Sequence, residues 1–282
     1  LQSIGVDPFD SNGNYAFADP LSASFGGVKG GNRNLTEETA DTTTYGLVYQ
    51  PNFLEGLSFT IDYWEIAIED AISSVSSQDI VDGCYKEASL NSAFCSLFTR
   101  NSNSSSMQHG GFNFLRSTDI NFANLETSGI DLAIGYDFSI GAHNFGVSVQ
   151  GTEVNEIDFY TNPADLSEVN PQLGQILRPE RAGNVYLSWN YGDINVAFQS
   201  QYLGEMLLGN LEIETADTLY GKKVFMDETW IHNISASYTF SDEITLYGGI
   251  RNLSEEDPFM TEASFPGSPR GRMIFIGGTY RL

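Results

Sequence analysis

The chain has 282 residues, with 13 Lys and Arg against 37 Asp and Glu, a formal charge of −24. That balance excludes a nucleic-acid partner, whose phosphates demand a basic surface. Aromatics at 13%, 28 Gly and only 18% charged residues describe β-structure with many turns rather than a disordered acidic tail.

No apolar run reaches the length of a transmembrane helix. With a mean hydropathy of −0.20, a membrane location rests on alternating strands, whose hydropathy signal is weak.

Residue 1 is Leu, and no basic and apolar secretory leader follows it. The expectation is a chain that begins partway through a longer protein. Residues 1–41 are rich in Gly, Asn, Asp, Ser and Thr without sustained periodicity, so they are expected to form an extracellular loop region, with residues 42–282 carrying strands. Thr42 to Gln50 is the first strand. In the second, Leu57, Phe59, Ile61 and Tyr63 alternate with Ser58, Thr60, Asp62 and Trp64, and the apolar phase moves to Ile66 and Ile68, which predicts a bulge after Glu65. The third covers residues 112–138, where Ile130, Leu132, Ile134, Tyr136 and Phe138 oppose Asp131, Ala133, Gly135 and Asp137. Phe145 to Gln150, Val185 to Tyr191 and Ile194 to Tyr202 follow, with amides on the polar side. Trp230 to Phe240, Ile244 to Asn252 and Gly271 to Leu282 complete nine strands.

Their connections alternate between short (51–56, 139–143, 192–193, 241–243) and long (70–111, 155–180, 203–227, 253–270). Short turns on one rim and long loops on the other are the pattern of outer-membrane barrels. A soluble β-sandwich also has period-two strands, but it needs neither this alternation nor aromatics at strand ends such as Tyr63, Trp64, Tyr136, Trp189, Tyr191, Tyr202, Trp230 and Tyr238. An apolar set facing lipid (Leu57, Phe59, Ile61, Ile130, Leu132, Ile134, Val185, Leu187, Trp189, Val196, Phe198, Ile234, Tyr238, Leu246, Ile276) and a polar set facing water (Thr60, Asp131, Asp137, Ser148, Gln199, Asn233, Thr239) follow from it.

Cys84 and Cys95 share one long loop, and with no His or second thiol pair nearby a disulfide is expected rather than a metal site. Ile80, Val81 and Tyr85 predict a short helix over 77–86, with Ser77 and Asp79 at its start. Asp7 to Asn14 clusters oxygen ligands around a Gly but lacks the distal Glu of an EF-hand, and is read as a turn-rich loop. His109, His143 and His232 are scattered. Without a nucleophile elbow, P-loop or zinc signature, no catalytic residue, cofactor or metal is expected.

Several segments, in order, resemble one family. Asn32-Arg33-Asn34-Leu35-Thr36-Glu37 followed by Thr-Thr-Tyr-Gly-Leu is similar to the asparagine-proline-asparagine-leucine-lysine-proline-glutamate loop and strand of TonB-dependent outer-membrane receptors, with Arg33, Thr36 and Glu37 as departures. Leu57 to Ile68 resembles the family's next strand, and Glu126-Thr-Ser-Gly-Ile-Asp-Leu132 its glutamate-x-x-glycine-hydrophobic-glutamate-leucine segment. Gly249-Ile-Arg-Asn-Leu253 with Pro258 after it looks like the run before the final loop, and Gly271-Arg272 with the terminal strand looks like the barrel's end, closing on Leu282 where the family usually has an aromatic.

The resemblance implies an all-β, antiparallel transmembrane barrel of 22 strands in the bacterial outer membrane, of which these would be the last nine. It implies an N-terminal plug and TonB box outside this sequence. The partners it implies are outer-membrane lipid, the remainder of the barrel, the TonB complex and a small-molecule or oligosaccharide substrate. The implied activity is TonB-energised import of a scarce nutrient, with a passive porin or a secreted carbohydrate-binding β-sandwich as alternatives. Specificity would come from loop aromatics, for which Phe94, Phe98, His109, Tyr160, Tyr220 and Phe225 are the candidates.

Overall fold

Side chains alternate across a strand, so one register decides which residues of neighbouring strands share a face. A computed structural model of the chain describes residues 26–86, 93–103, 110–161, 165, 167–207, 218–258 and 268–281. In chain order these contain β1 (Gly26–Gly30), β2 (Thr39–Tyr49), β3 (Leu57–Ser73), α1 (Ser77–Lys86), β4 (Phe98–Arg100), β5 (Phe112–Thr118), β6 (Ile120–Ile140) and β7 (His143–Tyr160). There follow β8 (Asn170–Pro171), β9 (Arg181–Tyr191), β10 (Ile194–Leu203), β11 (Met206–Leu207), β12 (Phe225–Met226), β13 (Thr229–Thr239), β14 (Ile244–Arg251) and β15 (Met273–Tyr280). His109 and the Asp7 to Asn14 stretch lie outside the described residues.

The nine expected strands form one sheet in the order β2-β3-β6-β7-β9-β10-β13-β14-β15. The chain divides into two compact units, one of Leu1–Asp41, Ala67–Leu125 and Asp158–Asn170, the other of Thr42–Ile66, Glu126–Ile157 and Pro171–Leu282. The second unit holds most of the sheet. Its register aligns Phe145, Trp189, Val196, Ala236, Gly248 and Ile276 in one cross-strand row. The adjacent row, on the opposite face, is Gly146, Ser188, Ala197, Ser235, Gly249 and Phe275; the next, back on the first face, is Val147, Leu187, Phe198, Ile234, Ile250 and Ile274. The hairpin between β9 and β10 turns at Gly192, whose φ of 54° is a conformation that only glycine adopts freely.

The first unit is a folded loop module. Val75, Ile80, Cys84, Phe94, Phe98 and Leu115 form its core. Ser76, one residue before the expected cap, starts α1: its Oγ accepts the Asp79 N–H at 3.1 Å and its carbonyl that of Ile80 at 3.0 Å. The helix delivers Ile80 and Cys84 to one side, four residues apart, and Cys84 is bonded to Cys95 with a Cα separation of 4.7 Å.

Three sequence expectations are corrected. The strand expected over 112–138 is broken at Asp119. β5 leaves the large sheet because Leu115 is drawn into the loop core, where it pairs with β4 and, in parallel, with β1, while the Asp119 carbonyl accepts the Asn32 side-chain amide at 3.0 Å. β1 lies inside the segment expected to be loop. β3 spans Leu57–Ser73 and has a left-handed residue at Asp70, with φ of 54°. Strand β7 also continues to Tyr160, so the loop expected to begin at 155 begins later.

Candidate functional site

The two faces of the sheet differ in chemistry throughout. Register places Val185, Leu187, Trp189, Val196, Phe198, Ile234, Tyr238, Leu246 and Ile276 on one face and Ser148, Gln199, Asn233 and Thr239 on the other. Side-chain contacts extend this to the earlier strands. Thr152, on the polar face with Ser148 and Gln150, donates its hydroxyl to Asp131 at 2.6 Å. A Cβ on Gly146 would lie 3.0 Å from the Asp137 carboxylate, and one on Gly135 would lie 2.9 Å from the Ser58 hydroxyl. Asp131, Asp137 and Ser58 are therefore polar-facing, which turns Ile130, Leu132, Ile134, Leu57, Phe59 and Ile61 the other way. The apolar set is not a sealed core, since Leu187 is 39% and Ile276 89% exposed.

Aromatics crowd both ends of the apolar face. By the short turns, Tyr136, Phe138 and Phe145 stack at 4.8 and 5.0 Å, His143 stacks on Tyr191 at 4.4 Å, and the Trp189 indole N–H donates to His143 Nδ1 at 3.1 Å. By the long connections, Tyr202 and Trp230 pack at 4.7 Å, and the Tyr202 hydroxyl donates to Glu228 at 3.1 Å. Eight residues on β10 separate the Ile194–Tyr238 pair from the Tyr202–Trp230 pair, about 27 Å along the strand at ~3.4 Å per residue. Ile194 to Tyr202, with an aromatic belt at each end, has the length of a tilted strand that crosses a bilayer, which takes about 9–11 residues. One expected belt residue is corrected: Trp64 covers Gly129 on the Asp131 side of the sheet, because only a residue without a Cβ leaves room there for the indole.

Two of the clefts among the described residues gather side chains from several strands of this frame. One, of about 680 Å³, lies at the long-connection end, with Glu180, Arg181, Tyr202, Phe225, Asp227 and Glu228 among its lining. Tyr202 is on the side of Phe198, so the cleft opens above the apolar band; Arg181 is neutralised there by Glu153 at 3.1 Å and Glu180 at 3.2 Å. The other, of about 390 Å³, includes Tyr186, Gln199, Asn233, Ser235, Arg251 and Phe275 from the polar rows.

Of the six candidate ligand residues, His109 lies outside the described residues and the other five fall on different elements. Phe94 and Phe98 are core residues of the loop module, 6% and 8% exposed, packed edge-on against Phe122 and Phe112. Their aromatic character serves packing there. Tyr160 ends β7. Tyr220 is exposed beside the Gly221–Val224 turn, and Phe225 lines the larger cleft from β12. Sequence reasoning did not assemble the smaller cleft, although it placed Gln199 and Asn233 on the water-facing side: Tyr186, Arg251 and Phe275 join them only through the cross-strand register.

A sheet with one belted apolar face and one amide-lined face defines the class of outer-membrane β-barrel proteins. The family model described as "TonB dependent receptor-like, beta-barrel" matches residues 6–253, and the chain belongs to that family, placing it in the bacterial outer membrane. No curated protein matches it in sequence. Among solved structures it is similar to a variant of the ferric enterobactin receptor PfeA from Pseudomonas aeruginosa (14% identity, TM-score 0.59, 89% of this chain and 32% of that one). Also similar are the ferric-catecholate import receptor Fiu from K12 E. coli (15%, 0.53, 92% and 30%) and the siderophore receptor PirA from Acinetobacter baumannii (14%, 0.56, 89% and 33%). At these identities the likeness is one of fold. The chain spans about a third of the length of the receptors it matches.

Proposed function

We propose that this chain supplies part of the wall and outer loops of a receptor that binds a scarce small molecule and imports it with energy delivered by the TonB complex to a plug domain. The observation that carries this reading is the division of one sheet into a belted apolar face and an amide-rich face, in a chain of the TonB-dependent receptor family. An apolar face between aromatic belts suits lipid, and the opposite face, with Asp131, Asp137, Gln199, Gln201 and Asn233, suits an aqueous interior. The solved relatives carry names of siderophore and iron-chelate receptors, and active import is the activity proposed here by analogy with them. His109, Tyr160 and Tyr220 are proposed ligand contacts on the loop side. Enzymatic chemistry forms no part of the proposal.

The test is uptake. Cells carrying the receptor at its natural length should accumulate substrate only with an intact TonB complex and an energised inner membrane. Uptake that survives loss of TonB and merely follows the concentration gradient would overturn the reading in favour of a passive porin.

A further inference from the structure

Three glycines on the polar face are roofed by aromatic rings. Trp64 lies over Gly129; Phe275 lies over Gly249, whose Cβ would meet the ring at 2.8 Å; Tyr247 lies over Gly277, whose Cβ would meet the ring at 2.5 Å. Glycine removes the side chain that would otherwise stand between each ring and the sheet, so each ring approaches the backbone closely. Tyr247 pairs with Gly277 and Phe275 with Gly249, so the two aromatics are diagonal neighbours across β14 and β15, and Tyr247 remains 44% exposed.

Arg251 stands at the end of this lane, its guanidinium carbon 5.6 Å from the centre of the Phe275 ring. Among the described residues Arg251 has no carboxylate partner, unlike Arg181 and Arg272, which are ion-paired. A cation held on an aromatic, with no carboxylate paired to it among the described residues, can receive an anion from outside. Gln199 and Asn233 line the same cleft. The Asn233 carbonyl is occupied by the Asn252 N–H at 3.0 Å, which turns its amide N–H₂ into the available group. From Tyr247 to Arg251 is four residues of one strand, about 13 Å, longer than a single small ring.

We propose that this lane is a binding site for an acidic oligosaccharide: sugar rings stack on Tyr247, hydroxyls bond to Gln199 and Asn233, and a uronate carboxylate is received by the Arg251 fork. The proposal rests on the receptor reading above and names its substrate class. Stacking suits the flat C–H face of a pyranose, the Gln199 amide pairs with hydroxyls as donor and acceptor, the Asn233 N–H₂ donates to them, and the guanidinium geometry matches a carboxylate.

The experiment uses the receptor at its natural length in outer-membrane vesicles, titrated with a linear trimer of galacturonic acid and with the same trimer after its carboxyls are reduced. The acidic trimer should bind at least tenfold more tightly. Arg251→Gln should abolish that preference, Arg251→Lys should keep part of it, and Tyr247→Leu should weaken both trimers alike. Equal binding of the two trimers, or a preference that survives Arg251→Gln, overturns the proposal. So does a receptor that binds neither trimer while still importing another solute through TonB, an outcome that leaves the transport reading standing; loss of TonB-dependent uptake of every solute tests that reading separately.

Discussion

Leu187 offers the sharpest test of which face meets lipid. It shares a row with Val147, Phe198 and Ile234, four residues from the Tyr191 belt and four from the Gly183–Tyr202 pair on the other side. That is about 13 Å from either belt, at the middle of the apolar band. An arginine on a lipid-facing barrel position at the midplane costs ~2–4 kcal/mol, which lowers the folded-to-unfolded ratio roughly thirty- to several-hundredfold. Leu187→Arg should show that loss in equilibrium folding of the receptor into lipid vesicles, read by heat-modifiable gel mobility. Ala197→Arg is the control: it lies one row away on the opposite face between Ser188 and Ser235, in an aqueous interior where the charge stays hydrated, and should shift the equilibrium by less than about 1 kcal/mol. Equal losses from the two variants, or a larger loss from Ala197→Arg, would refute the assignment of faces.

The Cys84–Cys95 bond closes a loop of sequence separation 11, for which chain entropy gives ~3 kcal/mol; Cys84→Ser with Cys95→Ser should raise the rate of proteolytic cutting in the loop module by one to two orders of magnitude while heat-modifiable mobility of the barrel stays unchanged. Unaltered cutting would mean that the apolar core alone holds the module. Gly129→Ala places a methyl 2.5 Å from the Trp64 ring and 2.7 Å from the Glu153 carbonyl; this overpacking should cost ~1–3 kcal/mol in the same folding assay and change Trp fluorescence. An unaltered folding midpoint would show that the indole does not rest on that glycine.

Legibility in the sequence followed the physics of each element. Where one face meets an apolar medium and the other water, a period of two is enforced residue by residue, so Ile130 to Phe138 and Ile194 to Tyr202 declared both their strands and their sides. The disulfide and α1 were legible for a different reason, because proximity in sequence limits the partners. Asp119 shows where such reading stops. Phe112 to Thr118 alternates like any strand, yet it is claimed by a small core around Ile80 and Leu115 that periodicity cannot reveal. Phe94 and Phe98 pack in that same core, since an aromatic on a long loop can be packing for the loop itself. The lane of Tyr247, Phe275 and Arg251 was invisible because it depends on which glycine lies opposite which ring.

The edges of the sheet lead to the last prediction. Among the described residues, β2 pairs only with β3 and β15 only with β14. Each leaves one side of its backbone unpaired, and β15 presents Ile274 and Ile276 at 75% and 89% exposure beside that edge. An antiparallel strand of eight residues directs half of its N–H and C=O groups to each side, so the free edge of β15 carries roughly eight unpaired groups. In hydrocarbon each costs several kcal/mol, a total of tens of kcal/mol that far exceeds the ~5–15 kcal/mol stability of an ordinary domain. In water the same edges template aggregation. The expected outcome is that β2 and β15 each gain a further strand beside them. Residues 1–282 expressed by themselves in detergent should give no heat-modifiable monomer, and the amides of β15 should exchange as freely as those of a frayed end. With the rest of the receptor supplied as a second polypeptide, protection of Ile274, Ile276 and Gly278 should appear. A protected monomer formed without any partner would show that this sheet closes on itself and that the 22-stranded count is wrong.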